Sequence, residues 1–150
     1  MPVPIVFHGH AEFSACGQYR YLLTRRWERR CAKKRTVCFI GLNPSTADAE
    51  TNDPTVRKCI AIADQLGFKQ LLLVNLFAYR ATEPKDLKLS SEPLGELTDH
   101  YLLQAVKLSG TVVACWGNHG QFLGRDQEVL NMLPGKLHCL KRNATGTPAH

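Results

Sequence analysis

The feature that most restricts the fold is a short apolar run, Val37-Cys38-Phe39-Ile40, that stops at Gly41 and leads into Leu42-Asn43-Pro44-Ser45. Bounded by Lys33-Lys34-Arg35 on one side and glycine on the other, it reads as a buried strand. Two later runs repeat the pattern. One goes from Leu71 to Phe77, and the other from Thr111 to Trp116, closing at Gly117. Continuous apolar runs suit parallel strands covered on both faces. Helical spacing lies between them. Asp53 is an N-cap residue and Pro54 a first-turn proline, with Val56, Ile60, Ala63 and Leu66 on one face and Gly67 at the end. Further helices are expected over 94–108 and 120–133, and a short last strand over 137–140. This order predicts an α/β fold, a three-layer α/β/α sandwich with a mostly parallel central sheet, in one domain covering 1–150. In open α/β sheets ligands sit at the carboxyl ends of strands, so the loop over 41–53 is the candidate site.

The remaining segments are less distinct. Residues 1–18 read as irregular, with at most a short strand over 3–7. Residues 19–35 read as a helix with a basic outer face, from the spacing of Tyr19, Leu22, Leu23 and Trp27. Residues 78–93 read as a loop carrying Arg80 and Lys85, and 141–150 as a polar tail. The formal net charge is +6, concentrated in Arg20, Arg25, Arg26, Arg29, Arg30, Lys33, Lys34 and Arg35. Such a cluster is either a track for a polyanion or a solvated face. A hydrophobic content of 44% suits a soluble globular protein. No apolar run approaches the roughly 20 residues of a membrane span, and there is no leader pattern, so a cytoplasmic monomer without membrane partners is expected. The six cysteines form no C-x-x-C pair, and His8 and His10 have no third ligand nearby in sequence. No metal or cofactor is expected.

Several residues invite a functional reading. Gly41 lets backbone approach a ligand, Pro44 stiffens the turn, and Asn43 points a carboxamide into the cleft. Asn75 is the polar member of an apolar strand. Left unpaired, a buried amide costs about 1–3 kcal/mol, so Asn75 either bonds a neighbouring loop or reads a ligand. Arg57 and Lys58 fall in the first turns of the helix after the loop. His119 follows the third strand end.

Taken together, these motifs resemble the uracil-DNA glycosylase superfamily. Gly41-Leu42-Asn43-Pro44-Ser45 resembles its first motif, especially the G-I-N-P-G form of the mismatch-specific uracil and thymine glycosylases. Leu71 to Asn75, running on to Arg80-Ala81, resembles the strand that ends in a base-reading Asn. Residues 78–87 resemble the loop after it, and Ala114-Cys115-Trp116-Gly117 the third strand and its glycine. Thr147-Pro148-Ala149-His150 falls where the superfamily has its second catalytic motif. The likeness extends over about residues 36–150. The chain also resembles a bacterial and phage domain family of unknown function that shares G-L-N-P-S-T-A-D and N-L-F-A-x-R-A-T.

The resemblance implies a uracil-DNA glycosylase-like fold and a monofunctional DNA glycosylase without a cofactor. Asn43 would hold the attacking water, and His150 would stabilise the leaving base. Gly41, Leu42, Pro44, Ser45, Asn75 and Phe77 would form the base pocket. Arg57, Lys58, Arg80, Gly117, Asn118, His119, Lys141 and Arg142 would contact DNA. A tyrosine at the place of Ser45 blocks C5 substituents in strict uracil-excising relatives. The small Ser45 therefore implies tolerance of thymine or a larger modified pyrimidine, such as hydroxymethylcytosine or its glucosylated form, and a role in phage defence. Two other functions fit the same residues: a nucleotide-level N-glycosidase or transferase, and a non-catalytic nucleic-acid-binding module.

Overall fold

The computed structural model describes residues 3–133, 135, 137 and 138. The fold is α/β, built on a five-stranded mixed sheet. Its strands are β1 (His8–Phe13), β2 (Arg20–Arg26), β3 (Thr36–Gly41), β4 (Gln70–Asn75) and β5 (Thr111–Ala114), in the spatial order β1-β2-β4-β3-β5. The described helices are α1 (Pro54–Gln65), α2 (Pro84–Leu89), α3 (Thr98–Leu108) and α4 (Arg125–Met132). β3 is parallel to both β4 and β5, as their apolar runs predict. The other half of the sheet corrects the expectation of a mostly parallel one. β2 is antiparallel to β4, with Leu23 opposite Leu73, and β1 is antiparallel to β2.

β2 also overturns the expected helix over 19–35. Side chains at 19, 22, 23 and 27 satisfy helical spacing, but a strand uses them differently. Leu22 packs against the apolar cluster on one sheet face and Leu23 belongs to the cluster on the other. Arg20 and Arg25, read as outer-face residues, are both 2% exposed. Tertiary bonds to the loop after β3 outweigh the local pattern. The N-terminal strand is His8–Phe13 rather than 3–7. The loop expected over 78–93 contains α2, whose Pro84 stands at the first helical position. α3 starts at Thr98 rather than 94. Residues 118–124 form 3₁₀ turns that kink at Phe122 and Leu123, so the last described helix starts only at Arg125. Of the strand expected over 137–140, His138 makes a parallel bridge to Val113; 139–140 lie outside the described residues.

Alternation along β3 and β4 divides the core. Cys38, Ile40, Leu72 and Val74 face Leu102 and Ala105 of α3 and Val129 of α4. Val37, Phe39, Leu71 and Leu73 face Val56, Cys59, Ile60 and Ala63 of α1. Burying each large aliphatic side chain contributes about 1.5–3 kcal/mol. Leu66, expected on the inner face of α1, is instead exposed. The chain leaves β3 through α1 for β4 on one side, then recrosses through α2 and α3 to β5 on the other. Successive connections from β3 therefore go to opposite sides of it, which opens a crevice at its carboxyl end.

Candidate functional site

That crevice is a cavity of about 390 Å³, at the small end of the range of about 300–1,000 Å³ for small-molecule sites. All of Gly41-Leu42-Asn43-Pro44-Ser45 line it. So do Asn75 from the end of β4, Cys115 just beyond β5, Lys58 of α1 and Arg20 of β2. The base-pocket residues expected from the sequence thus come together, with one exception. Phe77 is buried against Phe122 in the apolar cluster beneath α3 and α4 and does not line the cavity.

Backbone bonds carry the β3–β4 pairing past the strand ends. Leu76 N–H donates to the Gly41 carbonyl at 2.9 Å, Phe77 N–H to Leu42 at 3.0 Å and Ala81 N–H to Pro44 at 2.9 Å. Asn43 is fixed within this frame. Its Nδ2 donates to the carbonyls of Ala81 at 2.8 Å and Pro44 at 3.0 Å, with Tyr79 at 3.4 Å. Carbonyls on that side determine which end of the amide is NH₂. Oδ1 is left without a donor among the described residues, the arrangement an amide needs to accept a hydrogen bond from a water. Ser45 Oγ meets Thr82 Oγ1 at 3.2 Å.

Asn75 is 6% exposed, and its Nδ2 has no hydrogen-bond partner among the described residues. A β-carbon at position 41 would stand 2.7 Å from Asn75 Oδ1. Glycine at 41 is therefore what lets the Asn75 amide lie across the strand end. Asp53 also lines the cavity, as the α1 N-cap. One oxygen accepts from Val56 N–H at 2.9 Å, the other from Ala47 N–H at 3.3 Å. Arg20 Nη1 donates to the Ala47 carbonyl at 3.0 Å. Burial pushes the Arg20 guanidinium down to about 10, so it stays cationic at neutral pH. Burial pushes the Cys59 thiol up to about 12 and the Cys115 thiol up as well. Both line the cavity, where burial favours the neutral thiol over the thiolate.

A family profile described as a protein of unknown function, DUF1643, matches residues 20–150. The chain belongs to the DUF1643 family. No curated protein and no solved structure matches it. β1 lies outside the matched region, whereas every cavity residue named above, from Arg20 to Cys115, lies inside it.

The residues of this DUF1643 chain expected to contact DNA are scattered. Lys58 lines the cavity, and Arg57 is exposed beside it. Arg80 is held by the carbonyls of Ser45 at 3.0 Å, Gly17 at 3.1 Å and Thr46 at 3.4 Å, and lies over the Phe13 ring. It ties loops together. Gly117 is buried at φ 73°, while Asn118 and His119 are exposed on the 3₁₀ turns. His119 Nδ1 is 3.0 Å from Lys88 Nζ of α2, and none of the three lines the cavity. Lys141, Arg142 and His150 lie outside the described residues.

The basic segment also divides. Arg25 donates to the Asp48 and Thr51 carbonyls and to Asn52 Oδ1, fastening the loop over 46–52. Arg29, Arg30, Lys33, Lys34 and Arg35 are exposed, but they precede β3. The cavity lies at the other end of that six-residue strand, about 20 Å away at roughly 3.3 Å per residue. Two charged residues of the cavity wall escaped the sequence reading of the site. Asp53 was legible as a cap but not as a cavity wall, and Arg20 looked like one basic residue among eight. Among the described residues, no three His, Cys, Asp or Glu side chains gather to hold a metal ion, and no helix is long and apolar enough to cross a membrane.

Proposed function

We propose that this DUF1643 protein is a monofunctional DNA glycosylase that hydrolyses the N-glycosidic bond of a flipped, mispaired or C5-modified pyrimidine. Hydroxymethylated and glucosylated cytosine are included, which would suit a cytoplasmic role in phage defence. In this proposal the two-sided sheet is the three-layer α/β/α sandwich of the uracil-DNA glycosylases, the chain acts as a monomer, and DNA is its partner. The observation that carries the proposal is the pairing of two amides in one cavity. Asn43 has its NH₂ tied down and Oδ1 unengaged, and Asn75 has a buried NH₂ with no partner, both among the described residues.

The chemistry follows from that pairing. A pyrimidine taken out of the stack enters the cavity with its hydrogen-bonding edge exposed. Asn75 donates to a carbonyl oxygen of that edge. Asn43 Oδ1 accepts from a water and turns the water's lone pair toward C1′. As the C1′–N1 bond breaks, its electron pair moves onto the base, and the sugar becomes an oxocarbenium-like cation that needs little nucleophilic push. The water oxygen bonds to C1′ and its proton passes to solvent or to the departed base, leaving an abasic site. In the same proposal His150 adds stabilisation to the base. Ser45, small and at the cavity wall, leaves room for a C5 substituent.

The test is alkali-revealed strand scission of duplexes carrying uracil, a G·T mispair, hydroxymethylcytosine or glucosylated hydroxymethylcytosine. Scission at one of them, absent with Asn43→Ala, supports the proposal; intact strands throughout overturn it. A second reading is a nucleotide-level N-glycosidase, favoured by the distance between the exposed basic residues that precede β3 and the cavity. Base release from free nucleotides but not from DNA would select it.

A further inference from the structure

Arg20 is the cavity residue with no task yet. Among the described residues its guanidinium is bonded only through Nη1, to the Ala47 carbonyl. Nε is enclosed and has no hydrogen-bond partner among the described residues, and no carboxylate there lies within ion-pair distance of the guanidinium. Asp53 is the acidic group whose charge acts on it, from beyond ion-pair distance, with each of its oxygens accepting one backbone N–H. A guanidinium keeps its charge at neutral pH, so burying one without a partner is costly unless a ligand supplies the counter-charge. Asn75 Nδ2 is a second enclosed donor without an acceptor, and Lys58 adds another positive charge to the lining. Enclosed donors and a cation without a contact ion pair among the described residues are complementary to an electron-rich, negatively charged group.

We infer that Arg20 is the oxyanion-stabilising residue of the cavity, holding with Asn75 the negative charge that a pyrimidine ring acquires as it leaves the sugar. The inference rests on the glycosylase reading and gives it a cationic group within the described residues. When C1′–N1 breaks, the electron pair left on N1 spreads onto O2 and O4. Water adds through its oxygen to C1′, and the ring is neutralised afterwards by the proton that water releases. A cation that binds the developing anion better than the neutral base lowers the barrier to that step.

The experiment is calorimetric binding of free 5-nitrouracil to the full chain across the pH range in which its ring ionises. Its anion stands in for the departing base. Uracil, neutral over the same range, is run in parallel to cancel changes in the groups facing Arg20, which are Asp53, Arg80, Arg25 and Cys59. Wild-type affinity for 5-nitrouracil is expected to rise at least tenfold on ionisation while that for uracil stays level. Arg20→Gln should flatten the rise. Arg20→Lys, which keeps the charge, should retain part of it, and it serves if the Gln variant does not fold. No rise in wild type, or an undiminished rise in a folded Arg20→Gln, overturns the inference. So does binding of inorganic phosphate in place of 5-nitrouracil, since the anion would then be a phosphate. The two claims separate cleanly. Arg20-dependent anion binding without base release from any duplex supports the anion site and removes the glycosylase. Base release undiminished in Arg20→Gln does the reverse.

Discussion

In the proposed reaction Asn43 can orient a water because its amide is held one way round. The carbonyls of residues 44 and 81 hold its NH₂ at 3.0 and 2.8 Å, and the unengaged oxygen is what remains for a water. The same loop places Ser45 at the wall, with its hydroxyl against Thr82. If Ser45 leaves room beside C5 of the pyrimidine, then Ser45→Tyr should cut release of C5-substituted bases at least tenfold and spare uracil. Paired rates on hydroxymethylcytosine and uracil duplexes check this. Equal loss on both would mean that Ser45 does not set substrate choice.

Gly41 and Asn75 act as a unit because β3 and β4 are in register, Gly41 opposite Asn75. A methyl at 41 would press on Asn75 Oδ1 at 2.7 Å. Gly41→Ala should therefore destabilise by about 1–3 kcal/mol, the usual cost of overpacking. Its combination with Asn75→Ala should cost less than the sum of the two, because the clash and the unbonded amide disappear together. Urea unfolding of the four proteins measures this. Simple additivity would show that the two residues do not press on each other.

Elements buried on both faces were legible in the sequence. β3, β4 and β5 each carry an unbroken apolar run, and Asp53-Pro54 marks the start of α1 through a cap that the structure contains. α2 had the same proline signal at Pro84, overlooked because the helix is only six residues long. β2 was illegible for a physical reason. Arg20 and Arg25 are buried because they bond the loop over 46–52, and that loop's position depends on the finished fold. With β2 misread, Arg20 could not be distinguished from its basic neighbours. The first motif and Asn75 were legible as a cleft; the cation facing them was not.

At the scale of the whole molecule, buried thiols make stability depend on alkaline pH. Burial raises Cys38 and Cys59 from 9.0 to about 12. Between those values the unfolded chain has lost these protons while the folded chain keeps them, so each thiol's contribution, complete below pH 9, declines by about 1.4 kcal/mol per pH unit above it. Arg20 acts in the opposite sense above about pH 10, where the folded state is the first to lose its proton. The thiol effect therefore reads most cleanly between pH 9 and 10. Unfolding free energy should fall over that interval and fall less in Cys59→Ala. A flat profile in wild type would show that the thiols are not shielded as described. In the same fold, the exposed basic residues before β3 and the cavity after it are at opposite ends of one strand, so DNA bound at the first need not be DNA acted on at the second.

The central claim is that the cavity beyond β3 and β4 breaks a glycosidic bond. Its most direct measurement is mass-spectrometric detection of free base under single-turnover conditions, from duplexes carrying glucosylated hydroxymethylcytosine, hydroxymethylcytosine, a G·T mispair or uracil. Wild type should release one of these bases, and Asn43→Ala, still folded, should do so at least a hundredfold more slowly, the scale on which one positioned polar group acts. No free base from any duplex, or equal release by Asn43→Ala, would contradict the account.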